Sequence, residues 1–162
     1  MAEITTLEEK LAEVTGLAQA ATGAIDKVAP MIEDEDVSSA LEKMKSEAEE
    51  TVERCTAIID QREGKKTAIL DKARETKGEA TEMMETYLGD DSDGLDGLEF
   101  MTMAEAGEVG HWAILGKLNE KAGESEIAEL VEWALPIQER HLAEVRENSL
   151  VLAADEDPYE ES

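Results

Sequence analysis

Apolar residues recur every three or four positions along most of the chain, and alternating β-branched runs are absent. This spacing places apolar side chains along one face of an α-helix. The pattern predicts five helices separated by turns, and no strand. The predicted helices run from Thr6 to the turn at Pro30, then over about 37–62, 65–88, 98–122 and 125–152. The sequence therefore predicts an all-α protein.

The longest predicted loop is the glycine- and aspartate-rich segment 89–97. It superficially resembles a calcium-binding loop with Gly94 at the glycine position. In that alignment Gly89 and Phe100 would occupy the first and twelfth positions, which both require an oxygen ligand. The segment is therefore interpreted as a solvated turn that precedes the fourth helix.

Composition narrows the class of protein without fixing its role. The chain has 162 residues, of which 41% are apolar, enough for one domain over 1–154 with an acidic flexible tail at 155–162. No apolar run is long enough to cross a membrane, and the first residues lack the features of a signal peptide, so we expect a cytoplasmic protein. The lone Cys55 excludes an internal disulfide and a cysteine-based zinc site.

The net charge is −26, from 41 acidic and 15 basic residues. Nucleic acid is therefore a poor partner, because binding to phosphates requires clustered Lys and Arg. Two interpretations of the acidity remain open. It is either an adaptation to a salty cytoplasm or a functional acidic surface, such as a DNA mimic or a cation sink.

The last two predicted helices carry polar residues in the middle of otherwise apolar faces. These are Glu105 and Glu108 on the fourth helix and Gln138 and His141 on the fifth. A short turn centred on Gly123 makes the two helices antiparallel neighbours. Residues equidistant from that turn lie opposite each other, so Glu105 is predicted to face His141, and Glu108 to face Gln138.

Four polar groups at one level of a helical core require an explanation. Buried carboxylates cost several kcal/mol unless they are paired, protonated or bound to a metal. Carboxylate oxygen and imidazole nitrogen are ligands of iron, manganese and zinc. A metal site and an ordinary network of hydrogen bonds or salt bridges both remain open at this point.

The segments 104–112 and 138–141, joined through Gly123, resemble the second helical hairpin of ferritin-like proteins, particularly their bacterial stress-protein branch. In that superfamily a Glu on one helix and a Glu-x-x-His on the next bind a two-metal centre. Glu105 and His141 match this pattern, whereas Gln138 stands where Glu is expected. The resemblance therefore implies binding of iron or manganese at an incomplete or degenerate site, with Glu108 and Gln138 as secondary ligands.

The resemblance also implies a four-helix bundle with a long helical crossover between core helices two and three. The segment 65–88 has the required length of about 36 Å. In the first hairpin, Glu47 and Glu50 lie at the level of the site and are candidate further ligands, although solvated surface charges are the simpler interpretation.

Two functions follow from these observations. One is a metal-binding, stress-related ferritin-like protein. The other is a metal-free acidic helical interaction module from a salt-adapted cytoplasm. Whether the protein is an enzyme stays open. We expect a homodimer, because the crossover alone leaves apolar strips of the bundle uncovered.

Overall fold

In a computed structural model, which describes residues 2–161, the chain forms five α-helices and one short 3-10 helix. The prediction of an all-α protein is confirmed. The helices are α1 (Thr6–Val28), α2 (Glu35–Asp60), α3 (Lys66–Tyr87), α4 (Gly94–Ala122) and α5 (Ser125–Ala154), with the 3-10 helix at Ala29–Met31 between the first two.

Two helices begin at capping boxes, and the second box moves a predicted helix start. The cap of α1 is Thr5, whose hydroxyl accepts a hydrogen bond from the Glu8 N–H, while the Glu8 carboxylate accepts one from the Thr5 N–H. The same reciprocal arrangement joins Asp93 to Asp96 at α4. A capping box satisfies backbone N–H groups that have no partner in the first turn of a helix. The box at Asp93 therefore starts α4 four residues earlier than predicted. The observed loop before α4 is correspondingly shorter than the predicted one.

The turn between α4 and α5 is centred on Gly123, as predicted. Gly123 adopts the left-handed conformation, with φ of 68°, that ends a helix. The N-cap of α5 is Glu124, whose side chain makes no capping bond. Instead, the side chain of Asn119 bonds both to the N–H and to the carbonyl of Glu124. This bracing replaces the missing cap.

The apolar core has two parts, and their composition fixes the direction of each helix. One part joins the start of α1 to the end of α2, and the other joins the end of α1 to the start of α2. The first part also contains the start of α3, the end of α4 and the start of α5. The helices α2 and α4 are therefore parallel, and α3 returns the chain between them. This is the long crossover that the sequence predicts.

The crossover packs on α1 through its first half, where all its buried residues lie: Ile69, Ala73 and Thr76. Close approach depends on Gly16, because a Cβ atom there would come within 2.9 Å of the Thr76 Cβ and closer still to the Ala73 carbonyl oxygen. The contact is therefore backbone against backbone.

None of the helices in the described part of the chain combines the length and the apolar character needed to cross a membrane. The last helix ends at Ala154, where the predicted acidic tail begins. Met1 and Ser162, the outer ends of the predicted domain and tail, lie outside the described residues. The flexibility of the tail stays a prediction.

Glu8 is only 3% exposed, and its carboxylate joins three helix ends at one end of the bundle. It accepts hydrogen bonds of 3.1 Å each from Arg62 and Lys65, and Arg62 also pairs with Glu124. Burial alone would raise the pKa of Glu8, but these bonds and the bond from the Thr5 N–H outweigh it and lower the pKa to about 2.

We expect Glu8→Gln to lower the free energy of unfolding by about 1–2 kcal/mol at pH 7. Because the folded-state pKa lies below the ordinary value of 4.5, the contribution of Glu8 is complete above pH 4.5 and is lost as the pH falls towards 2. Urea unfolding of both proteins from pH 7 to pH 2.5 should show the difference shrinking over that window. A difference that stays constant with pH would contradict the ion-pair interpretation.

Candidate metal site

Between the two parts of the apolar core lies a layer of polar side chains from α4 and α5. Glu105, Glu108, Gln138 and His141 are all almost fully buried, with exposed fractions of 1–4%. They are the four residues that the helical spacing places on the inner faces. Their burial confirms that the polar middle of each face points into the bundle.

The pairing across the hairpin is the one predicted from the turn. His141 Nδ1 lies 3.9 Å from Glu105 Oε2. With the amide oriented so that its nitrogen faces the acids, Gln138 donates to Glu108 Oε2 at 2.7 Å and to Glu105 Oε2 at 3.1 Å. One amide group therefore binds both carboxyl groups and holds them side by side.

The two acids have strongly perturbed proton affinity. Burial raises the pKa of Glu105 to about 8. Burial, together with the nearby charge of Glu105, raises the pKa of Glu108 well above its ordinary value. Within residues 2–161 neither carboxyl group pairs with a Lys or Arg side chain, so no positive charge offsets the loss of hydration. Around neutral pH the pair therefore holds at least one proton.

The imidazole of His141 links this layer to α2. Its Nε2 atom lies 3.1 Å from Glu47 Oε1, and Glu47 is also paired with Arg140. Burial lowers the pKa of His141, which Glu47 only partly opposes, so the neutral ring with a lone pair is favoured. Burial alone would raise the pKa of Glu47, but the bonds from Arg140 and His141 outweigh it and lower that pKa.

The two candidate carboxylates of α2 therefore differ. Interpreting Glu47 as a solvated surface charge is wrong, because its side chain is only 18% exposed and contacts the buried histidine. Glu50 is a surface charge, with its side chain 49% exposed and paired with Arg54 one turn away. The structure thus brings together five of the six candidate ligands and leaves Glu50 outside.

Arg140 is the residue of this cluster that the sequence analysis missed. It lies beside the inner face of α5, next to His141, and its guanidinium group binds Glu47 and Glu144. A signal was present, because Arg140 and Glu144 are one turn apart on a helix and Glu47 was already placed at this level. Outside the cluster, Trp112 and Cys55 are buried packing residues, and His111 donates to the Gly107 carbonyl at the flank of α4.

The chemistry of the donor set fits a divalent cation, since it offers carboxyl groups, a neutral imidazole and an amide oxygen. Their present arrangement is that of a hydrogen-bonded layer. Across residues 2–161, no three His, Cys, Asp or Glu side chains are placed to hold a metal ion as they stand. Binding would require the acids to lose their protons and turn from the Gln138 amide towards the ion.

Comparison with known proteins identifies the fold. No protein-family model and no curated protein sequence matches the chain. Among solved structures, the crystal structure of the E. coli stress protein YciF is similar over 93% of this chain and 96% of that chain, with a TM-score of 0.69 and 17% sequence identity. The chain is therefore a ferritin-like helical bundle with the same fold as this bacterial stress protein.

Proposed function

We propose that the chain is a stress-related, ferritin-like protein that binds a single iron or manganese ion in the polar layer. Glu105 and His141 are the principal ligands, Glu108 and Gln138 are secondary ligands, and Glu47 positions the His141 ring. The observation that carries the proposal is the burial of two carboxyl groups beside a neutral imidazole, with no Lys or Arg of the described chain placed to neutralise the acids. A divalent cation is the partner that such a group of ligands lacks.

Two features argue for one ion rather than two. Gln138 stands where ferritin-like proteins carry a carboxylate, and a neutral amide contributes no charge to hold a second ion. Arg140 already occupies Glu47, so its positive charge opposes a second cation on that side of the layer. The site is accordingly a reduced form of a two-metal centre.

A bound iron or manganese ion would supply one-electron chemistry, which fits a role in stress. The residues of the chain have defined tasks around it. Glu105 and Glu108 hold protons when no metal is bound and must release them on binding, so metal affinity should rise with pH. Glu47 holds the His141 ring through Nε2, which leaves Nδ1 directed at Glu105. Catalytic turnover is not part of the proposal.

Metal analysis of the protein as isolated, followed by titration of EDTA-treated protein with Mn²⁺ and Fe²⁺ under anaerobic conditions, tests the proposal. We expect about one ion per chain. A metal concentration of a hundred times Kd should stabilise the fold by about 2.7 kcal/mol, which raises Tm by roughly 5–10 °C. Both effects should be lost in Glu105→Ala and His141→Ala.

Glu50→Ala is the matched control, because it removes a neighbouring carboxylate that lies outside the cluster. It should bind metal as the wild type does. If the wild type takes up no more metal than Glu105→Ala, or if Glu50→Ala loses binding as fully as His141→Ala, the proposed site is wrong.

A metal-free interaction module is the second candidate, and one observation favours it. The Gln138 amide satisfies both acids in their present positions, so the layer is complete without an ion. In that case the acidic surface, with its net charge of −26, would carry the function through cationic partners. Absence of metal uptake in the titration above would favour this alternative.

We also retain the homodimer as a proposal. Several large apolar side chains are exposed, among them Leu150 and Val151 near the end of α5, with exposed fractions of 65% and 45%. Covering such side chains favours association. Sedimentation velocity of the wild type at several salt concentrations measures it directly, and salt should strengthen the dimer because it screens repulsion between two acidic chains.

A further inference from the structure

A deep pocket opens between α1, α4 and the second half of α3. The fully buried residues of the crossover all lie in its first half, and side chains of its second half line the pocket instead. The pocket encloses about 200 Å³. Its walls are formed mainly by apolar side chains, which include Leu17, Ala21, Met84, Phe100, Met101 and Ala104.

The lining of this pocket differs from the rest of the molecule in charge. Charged residue types make up 35% of the chain, yet only Glu105 and Glu108 represent them among the sixteen lining residues. Both are buried at the inner end of the pocket. At the mouth the side chains of Met83 and Met103 are 60% and 47% exposed. No Lys or Arg belongs to the described lining, in which His111 is the one side chain that can carry a positive charge.

Volume and lining together define a class of ligand. An apolar cavity of about 150 Å³ stays free of water and binds benzene, so about 200 Å³ suits a molecule of two fused rings, roughly ten non-hydrogen atoms. The walls select a neutral, apolar body. The buried acids at the inner end offer hydrogen bonds to one polar group, since polar groups in such surroundings are normally paired.

We propose that this pocket is a binding site for a small, neutral, largely apolar molecule whose single polar group lies against Glu105 and Glu108. The inference reaches beyond metal binding, because it concerns the apolar side of the polar layer and does not require an ion there. It also gives the two acids a second role, which is to bind the polar group of the ligand.

Calorimetric titration of EDTA-treated full-length protein with indole tests the proposal. We expect a Kd below about 1 mM for a ligand of this size. Indole-3-carboxylate, which adds one negative charge to the same rings, should bind at least tenfold more weakly, because the described lining holds two acids and no Lys or Arg to receive it. Metal-free protein is used so that failure of this experiment is distinct from failure of metal binding.

Variants that fill the pocket provide the decisive comparison. Ala104→Leu and Ala80→Leu introduce side chains from α4 and α3, and each should weaken indole binding at least tenfold. Ala106→Leu is the matched control, because Ala106 is exposed on α4 and does not line the pocket. It should change Kd less than twofold. Circular dichroism of each variant confirms folding, and two filling positions guard against one variant that fails to fold.

Three results would overturn the proposal: no binding of indole by the wild type at 5 mM, equal binding of the carboxylate, or unchanged binding by both filling variants. A fourth result, occupation of the pocket by a second copy of the chain, would also overturn it. In that case the wild type would sediment as a dimer, indole would not bind, and the filling variants would sediment as monomers.

Discussion

Replacing Gln138 by Glu should make the stability of this protein depend on metal. Without metal, we expect Gln138→Glu to lower the free energy of unfolding by about 3 kcal/mol or more at pH 7.5, roughly 6–12 °C in Tm. The substitution removes the amide that donates to Glu105 and Glu108, and it adds a third acid to a layer that is almost fully buried. Thermal unfolding in EDTA measures the loss.

Addition of Mn²⁺ should reverse this loss. A third carboxylate improves the ligand set, so the rise in Tm with metal should be larger for Gln138→Glu than for the wild type. Gln138→Met is the matched control, because it removes the amide without adding charge. It should lose less stability in EDTA than the glutamate variant and gain less from metal. A glutamate variant as stable as the wild type in EDTA would show that the layer tolerates a third acid, contrary to its burial.

Gly16→Ala should produce the second large effect, at the contact between α1 and the crossover. A methyl group there would press against the backbone of α3, at the Ala73 carbonyl, and not against a side chain that could rotate away. Overpacking of this kind costs about 1–3 kcal/mol, and we expect the upper end because two helices must separate. Urea unfolding measures the change.

The same helix provides the control for this substitution. A Cβ atom on Gly23 would meet nothing within 4 Å, and the residue is exposed. Gly23→Ala should therefore raise the free energy of unfolding by about 0.5–1 kcal/mol, because alanine restricts the unfolded chain and favours helix. If both variants changed stability in the same direction, the close approach of α1 and α3 would be in doubt.

The sequence predicted the helices well because their apolar spacing is regular over more than twenty residues each. Their ends were less certain, since they depend on which of two adjacent residues makes a cap. At α1 both Thr5 and Thr6 lie three residues before a glutamate, and only the structure shows that Thr5 forms the capping box. At α4 the polar composition concealed a first turn that begins at Gly94.

The half of the site on α4 and α5 was predictable for a related reason. A turn of two residues fixes which positions face each other, so Glu105 and His141 could be paired by counting. The contribution of α2 could not be predicted by counting residues from a turn. Glu47 reaches His141 only through the packing of α2 against α5, and Arg140 draws it inward. Such contacts between distant segments leave no local pattern in the sequence.

The turn at Gly123 and Glu124 sets the angle between α4 and α5. Glu105 lies eighteen residues before Gly123, which places it about 27 Å along the helix from that turn. At that distance, a tilt of roughly 3° between the two rods displaces their side chains by about 1.4 Å. The two bonds from Asn119 to Glu124 stiffen the turn. Asn119, far from the polar layer, thereby sets the spacing between Glu105 and His141 on which the proposed coordination depends.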